Sequence, residues 1–116
     1  MIQGAGRTVY HSGDSAWFDG FAEIRERSAP IDAAMLPIGA YAPRWFMKGQ
    51  HMNPEEAVRA FSALGATRFV AMHWGTFKLT DEPLDEPPEL LREAWEGAGL
   101  SEARRSIPAI GETLLL

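Results

Sequence analysis

The feature that most constrains this chain is an alternation. Short apolar runs of strand length are separated by stretches whose apolar residues recur at helical spacing. Arg7-Thr8-Val9-Tyr10-His11 is β-branched and aromatic and reads as a strand. Gly4-Ala5-Gly6 before it is a turn signal, so the first three residues are expected to pair with it as a hairpin. Trp17, Phe18, Phe21 and Ile24 then mark the apolar face of a helix, with Asp14 or Ser15 as candidate cap and Ser28-Ala29-Pro30 as its stop. Residues 31–39 are a second run, apolar enough for a strand covered on both faces, with Pro37 confined to its end or to an edge. Asn53-Pro54-Glu55-Glu56 is the clearest helix start: a capping side chain, a proline suited to the first helical position, and two glutamates that complement the helix dipole. Gly65 closes that helix. Residues 69–73 form a third run. Leu90, Leu91, Ala94, Trp95 and Ala98 place another amphipathic helix, and residues 107–116 are expected to be a last strand. A hairpin followed by helix and strand in alternation predicts an α/β fold, with three helices packed on a mixed or parallel sheet.

Length and charge bound the function. At 116 residues the chain has room for one domain, over residues 1–116. A net charge of -5 argues against a nucleic-acid surface, which would want a basic stripe. No apolar run approaches the ~20 residues of a membrane-spanning helix, and no secretory leader is visible. With no cysteine there is neither a disulfide framework nor a thiolate metal site. A cytoplasmic location is the default expectation. Residues 40–52 make a long loop rich in aromatics and methionine, without helical or strand period; it must bury that surface against its own domain, a partner or a substrate tail.

Chemistry-bearing residues gather at strand ends. Asp14 follows Ser12-Gly13, where the first strand breaks, and His73 ends the third apolar run, where α/β proteins place their binding sites. Carboxylate and imidazole are ligand types for zinc, and a catalytic zinc usually has three protein ligands and one open position. His51 is a candidate third ligand, a general acid or base, or a solvated loop residue. Asp14 can equally cap a helix. His11 is expected to pack or hydrogen-bond within its strand. No nucleophile elbow and no Gly-rich phosphate loop is present.

Four blocks in order carry a resemblance: residues 10–15 (YHSGDS), 36–47 (LPIGAYAPRWFM), 50–57 (QHMNPEEA) and 73–77 (HWGTF). Together they resemble the metallo-β-lactamase fold superfamily, in its N-acyl-phosphatidylethanolamine-hydrolysing phospholipase D branch. The resemblance implies an αββα sandwich of two similar halves, with two zinc ions at its edge and hydrolysis of a lipid phosphodiester; relatives in the broader group open lactones. It covers only the C-terminal half. The first half's His-x-His-x-Asp-His motif is missing, since the only histidines are His11, His51 and His73. By resemblance Asp14 is the carboxylate that bridges the metals and His73 the last histidine ligand. His51 is a catalytic residue beside the metals, and Tyr41 and Gln50 are substrate-binding residues.

A half sandwich leaves one sheet face to bury. Leaving ~500 Å² of it bare would forgo on the order of 12 kcal/mol, comparable with a domain's whole net stability. The chain is therefore expected to self-associate, or to pair with a chain supplying the first half, and to be inactive alone. The alternatives are a truncated, non-catalytic oligomerising module and a lactonase-like relative.

Overall fold

A computed structural model describes residues 1–115. The chain forms β1 (Ile2–Gly4), β2 (Arg7–His11), α1 (Phe21–Arg27), β3 (Ala33–Pro37), α2 (Arg44–Met47), α3 (Pro54–Leu64), β4 (Arg68–Met72), α4 (Glu86–Gly97) and β5 (Arg105–Ser106). The sheet has five strands in the order β1-β2-β3-β4-β5. β1 pairs antiparallel with β2 as a hairpin, and β2 to β5 are parallel, so the sheet is mixed.

That order decides where the helices lie. Each parallel crossover steps to the next strand in the same direction, and right-handed crossovers then place α1, α3 and α4 on one face. The core bears this out. Ala34, Leu36, Phe69 and Ala71 alternate along β3 and β4 and pack against Phe21, Phe61, Leu64, Leu91 and Trp95. Phe61, Phe69 and Trp95 form an aromatic knot with ring centroids 5.0 to 5.7 Å apart. At the opposite end of the strands Asp32 ties β3 to β2, accepting from the Thr8 N–H at 2.7 Å and from Arg7 at 2.9 Å.

The other sheet face carries Val9, Ala33, Met35 and Val70, brought into line by the register Val9↔Ala33 and Met35↔Val70. No helix covers it. Instead the C-terminal segment passes over it, and Pro108, Glu112 and Leu114 close a cleft of about 260 Å³ with those four residues. The fold is thus half of an αββα sandwich, with helices on one face and the face that would meet a second sheet partly covered by the chain's own end.

Four local expectations need correction. α1 starts at Phe21 after Gly20, and no side chain caps it, so neither Asp14 nor Ser15 does. Trp17 and Phe18 keep their apolar role without being helical: both rings pack on Phe21, and Arg59 lies over Trp17. The 40–52 loop holds a one-turn helix, α2, too short for a period to show. His73 lies just past β4, since its φ of +59° takes it out of the extended region. The last strand is Arg105–Ser106, and residues 107–115 are not strand; Pro108 has no N–H to donate. Leu116, the end of the expected strand, lies outside the described residues.

Candidate metal centre

Three parallel strands end at one edge of the sheet, and their exits build the site. Asp14 follows β2, Gly39 follows β3, and His73 follows β4. Neighbouring strands lie ~4.8 Å apart, so Asp14 and His73 must reach toward each other across the end of β3. Gly39 makes that possible: a Cβ there would lie 2.4 Å from the His73 carbonyl oxygen. The left-handed turn at His73 brings its ring over this gap, and His73 Nε2 lies 3.5 Å from Asp14 Oδ1.

His51 arrives from the loop before α3. Its ring stands 4.9 Å from that of His73, tilted by 32°. Three contacts hold it there. The Met52 N–H donates to the Ser15 carbonyl at 3.0 Å and joins the loop to the Asp14 turn. Arg44 Nη1 donates to the His51 carbonyl at 3.0 Å while Nη2 pairs with Glu56 at 2.7 Å. Glu56 in turn closes a capping box with Asn53 at the start of α3. Burial, and then the neighbouring His73, lower the His51 pKa below the ordinary histidine value, against the opposing pull of Asp14 and Glu82. His51 Nδ1 is buried with no hydrogen-bond partner among the described residues. Such orphans are rare in native proteins and call for a partner or a chemical role.

The donor set fits one edge of a metal shell. Ligand atoms at ~2.1 Å from a tetrahedral ion stand about 3.4 Å apart, close to the 3.5 Å between Asp14 and His73. It does not make a whole shell. No group of three or more histidine, aspartate or glutamate side chains suited to a metal gathers among the described residues. His11 stands apart, its Nδ1 accepting from the Gly13 N–H at 3.0 Å.

Tyr41 and Gln50 are not drawn into this cluster. Tyr41 is buried, and its hydroxyl donates to Glu86 at 2.5 Å. Gln50 is exposed, and its side chain makes no hydrogen bond among the described residues. Beside His73 a cleft of about 260 Å³ is lined by Trp74, Thr76, Phe77 and Leu79. Phe77 and Leu79 on its rim, like Trp45 and Phe46 on α2, are large apolar side chains facing solvent. Two larger clefts, about 560 Å³ beside α1 and about 660 Å³ between α3 and α4, lie elsewhere and contain no histidine.

Residues 1–74 match the family model described as a Beta-lactamase superfamily domain. The chain belongs to the metallo-β-lactamase superfamily. It is 44% identical over 94 residues to N-acyl-phosphatidylethanolamine-hydrolyzing phospholipase D 1 of Caenorhabditis elegans, covering 79% of this chain and 26% of that protein. It is 33% identical over 116 residues to a UPF0173 metal-dependent hydrolase of Desulfitobacterium hafniense, covering all of this chain and 43% of that one. Among solved structures, Igni18, a metallo hydrolase from Ignicoccus hospitalis, superposes with a TM-score of 0.68 at 31% identity, over 94% of this chain and 41% of the other. The chain thus spans between a quarter and less than half of these superfamily relatives.

Sequence reasoning missed the residues that hold the site in place. Gly39 and Arg44 act through backbone contacts that only the folded chain creates. No periodicity signals either, although both stand inside a quoted block.

Proposed function

We propose that this chain is the C-terminal half of a metal-dependent hydrolase, with Asp14 and His73 as zinc ligands, His51 as the proton-transfer residue and a phospholipid phosphodiester as substrate. The observation that carries this reading is the approach of Asp14 to His73 at the mouth of the sheet, at the spacing of two ligands on one ion. Zinc held there would supply a Lewis acid and an activated water at neutral pH. His51, neutral at that pH because its pKa is lowered, can take up a proton and readily give it to a leaving oxygen. The apolar rim of Phe77, Leu79, Trp45 and Phe46 suits the acyl chains of a lipid held with its phosphodiester at His73. The phospholipase D relatives support the lipid by name.

The remaining ligands belong to a first half bearing the His-x-His-x-Asp-His motif, in a longer chain or on a partner. Two copies of this chain would still lack it. The sheet face of Val9, Ala33, Met35 and Val70 is where that half, or a second copy, would pack. A second reading keeps the hydrolase and drops the lipid, because the Desulfitobacterium relative that matches the whole chain is named only as metal-dependent.

The test combines this chain with a separately expressed first half of that relative. Zinc-dependent cleavage of bis(p-nitrophenyl) phosphate and of N-acyl-phosphatidylethanolamine vesicles is expected from the pair and from neither part alone. His73→Ala abolishes it, and His51→Ala slows it by about a hundredfold or more. Turnover by the chain alone would refute the half-site, and opening of a lactone with phosphodiesters untouched would select the lactonase-like alternative.

A further inference from the structure

Glu82 lies in the acidic, proline-rich stretch after β4, where a carboxylate is expected to face water. It is instead 8% exposed. One oxygen accepts from the Ala40 N–H at 2.6 Å, the Tyr41 N–H at 3.3 Å and the Thr80 hydroxyl at 2.7 Å; the other accepts from the Ala42 N–H at 3.0 Å. Three successive backbone donors thus converge on one side chain 40 to 42 residues away in sequence. The Asp81 N–H adds a bond to the Ala42 carbonyl at 3.3 Å, and the Tyr41 hydroxyl is held by Glu86 from the same stretch.

The place of this clasp matters more than its number of bonds. The chain from His73 to Glu82 leaves the site at one end and is fastened at the other to residues 40–42, directly after Gly39. Gly39 is the residue against whose backbone the His73 carbonyl packs. Residues 40–42 lead on through Pro43 to Arg44, which holds the His51 carbonyl. One carboxylate therefore closes the loop that carries His73 onto the segment that fixes His51.

We propose that Glu82 is a positioning residue of this site, its buried carboxylate setting His51 and His73 in register by binding the backbone of residues 40–42. The inference rests on the reading of Asp14, His51 and His73 as a functional site. A carboxylate is required by count. A glutamine has one acceptor oxygen, so in either orientation its NH2 group faces an N–H donor. An aspartate is one methylene shorter and cannot reach all three amides. Burial by itself would raise the Glu82 pKa; the Thr80 hydroxyl and the backbone N–H groups outweigh it and hold the carboxyl below its ordinary value, so it is ionised at neutral pH.

The test compares the metal-free chain with Glu82→Gln by NMR, then titrates each with zinc. The expected result is a folded variant with shifted amide signals at Ala40, Tyr41 and Ala42, displaced ring signals of His51 and His73, and zinc affinity lower by about tenfold. Thr80→Val removes one of the four bonds and leaves the backbone donors in place; it is expected to move the same ring signals less, and it stands in if Glu82→Gln does not fold. Loss of thermal stability with both ring signals unmoved, in either variant, would reduce Glu82 to a loop anchor and overturn the proposal. A wild type that binds no zinc would count against the metal reading alone, and the ring comparison, which needs no metal, would still decide Glu82.

Discussion

Of Asp14, His51 and His73, it is His73 that is held in a left-handed backbone conformation, at φ +59°. That geometry costs a non-glycine residue on the order of 1 kcal/mol, and such strain clusters at functional sites. It persists because Gly39 leaves space for the His73 carbonyl. Gly39→Ala sets a methyl 2.4 Å from that oxygen, and the backbone must give way. The expected loss is about 1–3 kcal/mol, with His73 displaced, read by urea unfolding and by the His73 ring signals. His51 makes a second residue-scale prediction. Its pKa lies below 6.5 in the folded chain. Between the folded value and 6.5 the unfolded chain binds more protons, so stability falls as the pH is lowered through that window. An NMR titration of the metal-free protein should place the His51 midpoint below 6.5; a midpoint above it would remove the basis for a neutral proton acceptor.

Among the elements, α3 anchors the site and was also the most legible in sequence. Asn53 and Glu56 cap each other, and Glu56 also holds Arg44. Asn53→Ala should cost about 1 kcal/mol, measured by thermal or urea denaturation, with little effect on α4. Its start could be read because a cap, a proline and two glutamates are local signals whose physics needs no partner. α1 could not be bounded this way. Trp17 and Phe18 have helical spacing, but the chain before Gly20 is drawn into the turn that presents Asp14 and receives Met52. β5 was misplaced for a similar reason: Ile107 looks like a better strand residue than Arg105, yet pairing with β4 selects Arg105 and Ser106. Asp14, His51 and His73 were legible because two of them closely follow strands and all three stand in the quoted blocks. Glu82 was not, because an acidic proline-rich stretch reads as solvated and its three amide partners come from another loop.

For the whole molecule the consequence is asymmetry. The helical face has a dense aromatic core, while the opposite face relies on the C-terminal segment across Val9, Ala33, Met35 and Val70. No helix among the described residues is long and apolar enough to cross a membrane; the cover proposed for this face is a second polypeptide layer. Sedimentation at rising concentration should show association of the chain, and Met35→Glu should shift it toward monomer with helical circular dichroism unchanged. Association that is indifferent to Met35 would place the contact elsewhere. In the proposed function the same asymmetry extends to the metal centre, with two ligands on this chain and the rest supplied from beyond it. Zinc retained by the isolated chain, measured by calorimetry against a competing chelator for wild type, Asp14→Asn and His73→Ala, tests this most directly. Weak binding of at most one ion, lost in both variants, is predicted; tight binding of two ions by the chain alone, or binding untouched by either substitution, would contradict it.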